Sequence, residues 1–307
     1  MIFPGQGSQS VGMLAGYGEL PVIRDTLAEA SEALKQDVGK LIAEGPEELL
    51  NRTVNTQPIM VTAGICAWRA WRELGGAEPE LLAGHSLGEY TALVAADAIS
   101  FADCLSLVRL RGQAMQEAVP EGKGAMAAIL GLEDELVSVA CTEDSRGEVC
   151  EAVNFNSPGQ VVIAGHADAV KRAVEAAKAL GARRAVVLPV SAPFHSSLMA
   201  PAAARLRQAL AEVAMRVPRI PVIHNVDAKS HVKVEQVKDA LVAQADHPVR
   251  WVECVREMAA RGATHVFECG PGKVLAPLVK RISSGLQGVA LADGTGIKQG
   301  VQLSKGG

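Results

Sequence analysis

Apolar residues recur three and four apart through 22–42, at Leu27, Leu34, Val38 and Leu41, a spacing that predicts helix. Pro46-Glu47-Glu48 opens a short helix, with proline and acids in the first turn where both are favoured. Gln57-Pro58 opens a long one, stopped at Gly75-Gly76. Three helices are thus expected before the apolar run 81–83, which reads as a buried strand, as do residues 1–3. Residues 87–96, rich in alanine and leucine, return to helix, and Ser100-Phe101-Ala102-Asp103 resembles a capping box starting a helix to about Glu117. Leu105, Val108 and Met115 mark its inner face; Arg109 and Arg111, two residues apart, point to nearly opposite sides.

Pro120-Glu121-Gly122-Lys123-Gly124 has linker character, and the period changes after it. Strand 125–130, helix 134–141, strand 149–153, the turn Ser157-Pro158-Gly159, strand 161–164, helix 167–180 and strand 185–190 follow. The order β-α-β-β-α-β describes a ferredoxin-like small domain over 124–191, inserted into a large α/β domain made of 1–123 and 192–307. Beyond it the pattern predicts a helix to about residue 213, a strand 222–224, helices 234–245 and 252–261, a strand 266–268, a helix 273–282 and a strand near 289–291. The polar, glycine-rich tail from Asp293 is expected to fray.

With 49% hydrophobic residues over 307 positions, the chain can bury a large core, and 3% aromatics means that Ala, Val, Leu and Ile build it, as helices on a parallel sheet require. A net charge of −4 without a basic stripe argues against nucleic acid. The six cysteines form no CxxC pair and share no ligand spacing with the seven histidines, so they read as reduced cytosolic thiols, with no metal expected. The chain has neither a signal-like N-terminus nor a run of 18 apolar residues, and a cytoplasmic monomer away from membranes is the expectation.

The chemistry centres on Gly84-His85-Ser86-Leu87-Gly88, entered from a strand and left through a helix. That context is what a nucleophile elbow requires: the serine stands at a sharp turn with its oxygen exposed, and the amide of Leu87 points toward any oxyanion formed there. The loop Pro4-Gly5-Gln6-Gly7-Ser8 lacks the GK[ST] of a P-loop and the third glycine of a dinucleotide fingerprint. It either offers an N–H to the reaction centre or is an ordinary turn. His195, in the loop returning from the inserted unit, is a base or a structural histidine; Asn154-Phe155-Asn156 lines a cleft or caps a turn.

Gly-His-Ser-Leu-Gly-Glu at 84–89, with Phe3-Pro4-Gly5-Gln6-Gly7-Ser8-Gln9 ahead of it, resembles the malonyl-CoA:acyl-carrier-protein transacylases of type II fatty acid synthesis. Leu110-Arg111-Gly112-Gln113-Ala114-Met115-Gln116, Asn154-Phe155-Asn156-Ser157-Pro158-Gly159-Gln160, Pro193-Phe194-His195-Ser196 and Glu268-Cys269-Gly270-Pro271-Gly272 extend the likeness along the chain. The resemblance implies a hydrolase-like large domain, a ferredoxin-like small one and a site in the cleft between. It implies Ser86 as nucleophile, His195 as general base, the amides of Gln6 and Leu87 as oxyanion hole, and Arg111 on the malonyl carboxylate, with Met115, Asn156 and Phe194 also at the substrate. A main-chain carbonyl on Gln244, in place of a triad aspartate, would orient the imidazole. Malonyl-CoA and acyl carrier protein are the implied partners in ping-pong transfer without a cofactor. Carrier proteins of this kind are acidic, so docking would need a local basic patch drawn from Lys178, Arg183, Arg184, Arg205, Arg207, Lys280 and Arg281. Two other readings share the elbow: a free-standing polyketide-type acyltransferase, from which Leu87 and Phe194 point toward malonyl selection, and a serine thioesterase, which would need a triad acid and no buried arginine.

Overall fold

A computed structural model describes residues 1–190 and 192–305. The chain runs β1 (Ile2–Phe3), α1 (Pro21–Leu34), α2 (Val38–Glu44), α3 (Glu47–Leu50), α4 (Thr53–Glu73), β2 (Leu82–Gly84), α5 (Gly88–Ala95), α6 (Phe101–Glu117), β3 (Gly124–Leu130), α7 (Asp134–Thr142), β4 (Cys150–Ser157), β5 (Gln160–His166), α8 (Ala167–Ala179), β6 (Arg184–Val187), α9 (Ala200–Glu212), β7 (Val222–Ile223), α10 (Val234–Asp246), α11 (Trp251–Ala260), β8 (His265–Glu268), α12 (Ala276–Ile282), β9 (Gln287–Ala290) and α13 (Gly294–Lys305).

Five of the strands form a parallel sheet in the order β7-β2-β1-β8-β9. Successive residues enter opposite cores: Phe3, Leu82 and Val222 join the larger apolar cluster, while Ile2, Ala83 and Ile223 join that of Trp251, Val255 and Val279. Both faces are therefore covered by helices, which is why these strands carry no polar alternation. The other four strands form an antiparallel sheet, β4-β5-β3-β6. One of its faces packs under α7 and α8 through Ile129, Val161 and Val170. The other carries Met126, Val153, Val162 and Ala164, which meet Leu188, Val190 and Phe194. The antiparallel sheet is tied to the segment between α10 and α11 at β4, where Phe155 N–H donates to the Val249 carbonyl (3.0 Å) and Val249 N–H to that of Val153 (2.8 Å). The Glu151 carboxylate accepts from the N–H and hydroxyl of Ser197.

Strand β4 runs on to Ser157 and β6 ends at Val187, and the structure departs further from the predicted elements at four places. The periodic stretch 22–42 is two helices, because Lys35 turns left-handed (φ 49°) at the end of α1 and the Asp37 carboxylate caps α2 through Lys40 N–H, so four helices precede β2. The long helix α4 starts at Thr53 and holds Pro58 inside it, where the ring removes one backbone bond near the N-terminal end. Glu268 accepts from the N–H groups of Val274, Leu275 and Ala276, which keeps that segment as a turn and delays α12 to Ala276. The tail from Asp293 is a helix through Lys305: Asp293 caps Gly296 N–H, and Ile297 and Val301 are buried. Ser191, the expected last residue of the inserted unit, and residues 306–307 lie outside the described residues.

Among the described residues, no helix is long and apolar enough to cross a membrane, and all six cysteines are free and buried.

Candidate active site

Ser86 is the bend between β2 and α5, with φ 51°, a left-handed conformation that costs a non-glycine residue free energy and persists only when its surroundings hold it. Asn225 Oδ1 accepts from its N–H (2.7 Å), and Gln244 Nε2 donates to its carbonyl (2.9 Å). The turn is as tight as it is because Gly84 and Gly88 have no side chains: a Cβ on Gly88 would collide with the Phe3 carbonyl, and one on Gly84 with the backbone of Gly88.

The Ser86 hydroxyl lies 2.7 Å from His195 Nε2, and His195 Nδ1 lies 2.7 Å from the Gln244 carbonyl oxygen. A carbonyl only accepts, so the imidazole proton sits on Nδ1 and the Nε2 lone pair faces the serine O–H. Among the described residues no carboxylate contacts the ring. His195, like Ser86, has positive φ (65°). Burial, first, and the nearby Arg111 charge push the imidazole down to about 3, against the pull of the Gln244 carbonyl, so the ring is neutral at physiological pH.

Arg111 is buried and reaches the same point from α6, with Nη2 3.3 Å from Ser86 Oγ. Its other partners are neutral amides: Nη1 donates to Gln57 Oε1 (2.8 Å) and Nη2 to Gln244 Oε1 (3.0 Å). The guanidinium lies over the Tyr90 ring, and its Nε has no acceptor among the described residues. Burial lowers its proton affinity while Tyr90 and Glu89 support the charge. Arg109 points away, donating to the Leu34 carbonyl and to Gln36 at the end of α1.

These groups open on a cavity of about 130 Å³ lined on one side by Gln6, Gln57, Arg111 and Met115 and on the other by Met126, Asn154, Leu188 and Phe194. The Gln6 and Leu87 N–H groups have no protein acceptor among the described residues. Asn156 meets the site indirectly, through a 2.7 Å contact of its Oδ1 with His85 Nε2; Asn154 is the member of that segment lining the cavity. Gln57, Asn225 and the buried Glu89 have no site role in the sequence reading. Asn225 carries the one usable signal, a polar residue just past a parallel strand, where such sheets hold their ligands.

Residues 1–293 match the model of the acyl transferase domain. The chain is 51% identical over 303 residues to the malonyl CoA-acyl carrier protein transacylase of Escherichia coli K12, covering 98% of both. The crystal structure of an acyl-carrier-protein S-malonyltransferase from Burkholderia pseudomallei 1710b superposes with a TM-score of 0.96 at 57% identity, again over 98% of both chains. A malonyl-transacylase solved in complex with a type II PKS acyl-carrier protein superposes with a TM-score of 0.97 at 48% identity, over 99% of this chain and 98% of that one.

Proposed function

The chain belongs to the acyl transferase family, among the malonyl-CoA:acyl-carrier-protein transacylases, and from that premise we propose that it moves malonyl from malonyl-CoA to the phosphopantetheine thiol of acyl carrier protein. Ser86 Oγ attacks the thioester carbonyl while His195 Nε2 takes the hydroxyl proton, and the tetrahedral oxyanion lies between the N–H groups of Gln6 and Leu87. The C–S bond breaks, the proton passes to the departing CoA thiolate, and malonyl-Ser86 remains. His195 then deprotonates the carrier thiol, which attacks the ester, and the proton returns to Ser86. The Gln244 carbonyl orients His195 in both halves of this ping-pong cycle. Residues 1–123 and 192–307 make the hydrolase-like domain carrying the elbow, and 124–191 the ferredoxin-like domain closing the cleft; the strand order β6-β3-β5-β4 supports that assignment.

One observation carries the choice of acyl group: a buried guanidinium beside the serine hydroxyl, held by two uncharged amides and, among the described residues, without a hydrogen-bonded carboxylate. Buried charges in proteins are paired, so this arginine is prepared for an anion that arrives with the substrate. Met115 and Phe194 shape the space around it, and Asn156 acts on it through His85. Intact-protein mass spectrometry after malonyl-CoA tests the proposal. A malonyl adduct on Ser86, stable in water and discharged by holo carrier protein, is expected; rapid discharge by water alone would make the protein a thioesterase.

A further inference from the structure

Beneath the serine turn lies a buried carboxylate that takes no part in the transfer as proposed. Glu89, in the first turn of α5, is fully buried, and among the described residues no lysine or arginine pairs with it. Its Oε1 accepts from His224 Nδ1 (2.7 Å), and its Oε2 from the Asn225 N–H (2.9 Å) and from Gln244 Nε2 (2.9 Å). The two residues on Oε2 are the ones that hold Ser86: Asn225 takes its N–H, and also donates Nδ2 to the Gly84 carbonyl (2.7 Å), while Gln244 bonds its carbonyl. The strained turn is thus held on both sides by residues that share one carboxylate oxygen, Asn225 through its backbone N–H and Gln244 through its side-chain amide.

The Gln244 side chain adds a second constraint. A primary amide has two orientations of nearly equal shape. Here Nε2 faces the Glu89 carboxylate and Oε1 faces the Arg111 guanidinium; the flipped amide would set N–H against N–H on one side and oxygen against carboxylate on the other. Glu89 therefore decides which end of Gln244 meets Arg111, on the same residue whose main-chain carbonyl meets His195.

We propose that Glu89 is a positioning residue for acyl transfer, acting through Gln244 and Asn225 on the serine turn and on the aim of Arg111; this rests on the malonyl-transfer reading above. His224 supports it from the far side, its Nδ1 committed to the carboxylate and its Nε2 without a partner among the described residues. The carboxylate touches no substrate, so its loss reads out as misalignment.

Glu89→Gln keeps the shape but leaves at least one of three donors without an acceptor and frees Gln244 to flip. Acylation of Ser86 by malonyl-CoA and by acetyl-CoA is followed by quenched-flow mass spectrometry at saturating substrate. The expected result is a malonyl acylation rate about 10- to 100-fold lower, the scale of a lost charge-assisted hydrogen bond, with a reduced ratio of malonyl to acetyl transfer. A folded variant with the wild-type rate and ratio, whatever its Tm, overturns the proposal. Gln244→Met removes the side-chain amide while keeping the backbone carbonyl, and guards against a Glu89 variant that does not fold; the same loss of rate and selectivity is expected, and wild-type behaviour there also overturns it. A wild-type protein that acquires no malonyl adduct would instead remove the function reading on which this inference stands.

Discussion

At the scale of single residues the site brings together a serine hydroxyl, a neutral imidazole and a guanidinium with no carboxylate partner among the described residues. Ser86→Ala is expected to abolish adduct formation without lowering Tm, and an adduct at any other residue of the wild type would contradict that assignment. His195→Ala should retain slow acylation, since the proposed oxyanion donors, the N–H groups of Gln6 and Leu87, remain in place. Because burial holds the imidazole at about 3 rather than at its ordinary 6.5, single-turnover acylation should show no inflection near pH 6.5. The sign for stability follows: between those values the unfolded chain binds a proton that the folded ring refuses, so this histidine costs stability progressively as pH falls from 6.5 toward 3. An acid limb centred near 6.5 would mean the base titrates as in water. Arg111→Ala should reduce malonyl transfer on the order of 10²–10³-fold and spare acetyl transfer, because only malonyl brings a carboxylate that would be buried unpaired. Arg111→Lys should recover part of the loss, since one ammonium cannot reproduce the two-amide, serine-facing geometry of the guanidinium.

At the scale of elements the crossing of β1 under the start of α5 limits the site. Gly88→Ala would drive a methyl group into the Phe3 carbonyl, a backbone neighbour that cannot rotate away. The expected result is a Tm lowered by roughly 5 °C or more together with slower acylation, read by calorimetry and intact mass. Unchanged Tm would mean that the two segments separate more easily than their packing indicates. Elements whose signals are local were legible in the chain. The glycines around Ser86, the capping pattern at Ser100 and the turn Ser157-Pro158-Gly159 each act within a few residues. Two of the misreadings arose where a distant partner or burial decides. Glu268 postpones α12 by caging three amides, and burial of Ile297 and Val301 makes a helix of a tail that is polar by composition. The same division runs through the site: Ser86 announces itself by its neighbours, whereas Gln57, Asn225 and Glu89 acquire their roles only when α4, the end of β7 and α5 converge.

At the scale of the whole molecule, charge and connectivity matter most. The chain is net negative, and three cations considered for docking are already neutralised: Lys178 by Glu175, Arg205 by Glu117 and Arg207 by Asp239. Arg183, Arg184, Lys280 and Arg281 have no ion-pair partner among the described residues. Arg184→Glu combined with Arg281→Glu should therefore raise KM for carrier protein and leave KM for malonyl-CoA unchanged, with added salt acting in the same direction on the wild type. A carrier step indifferent to both would argue for apolar docking. Connectivity bears on synthesis. Strand β1 lies at the centre of its sheet, flanked by β2 and by β8, and the turn at 269–272 that follows β8 packs on Pro4 and Ser8 around Gln6. The antiparallel sheet, by contrast, draws all its strands from one continuous stretch between residues 124 and 187. On the ribosome the middle of the chain can close on itself while Ile2 still waits for Glu268, so a nascent chain halted before β8 would carry a finished insert, a translated serine and an unsupported Gln6 loop.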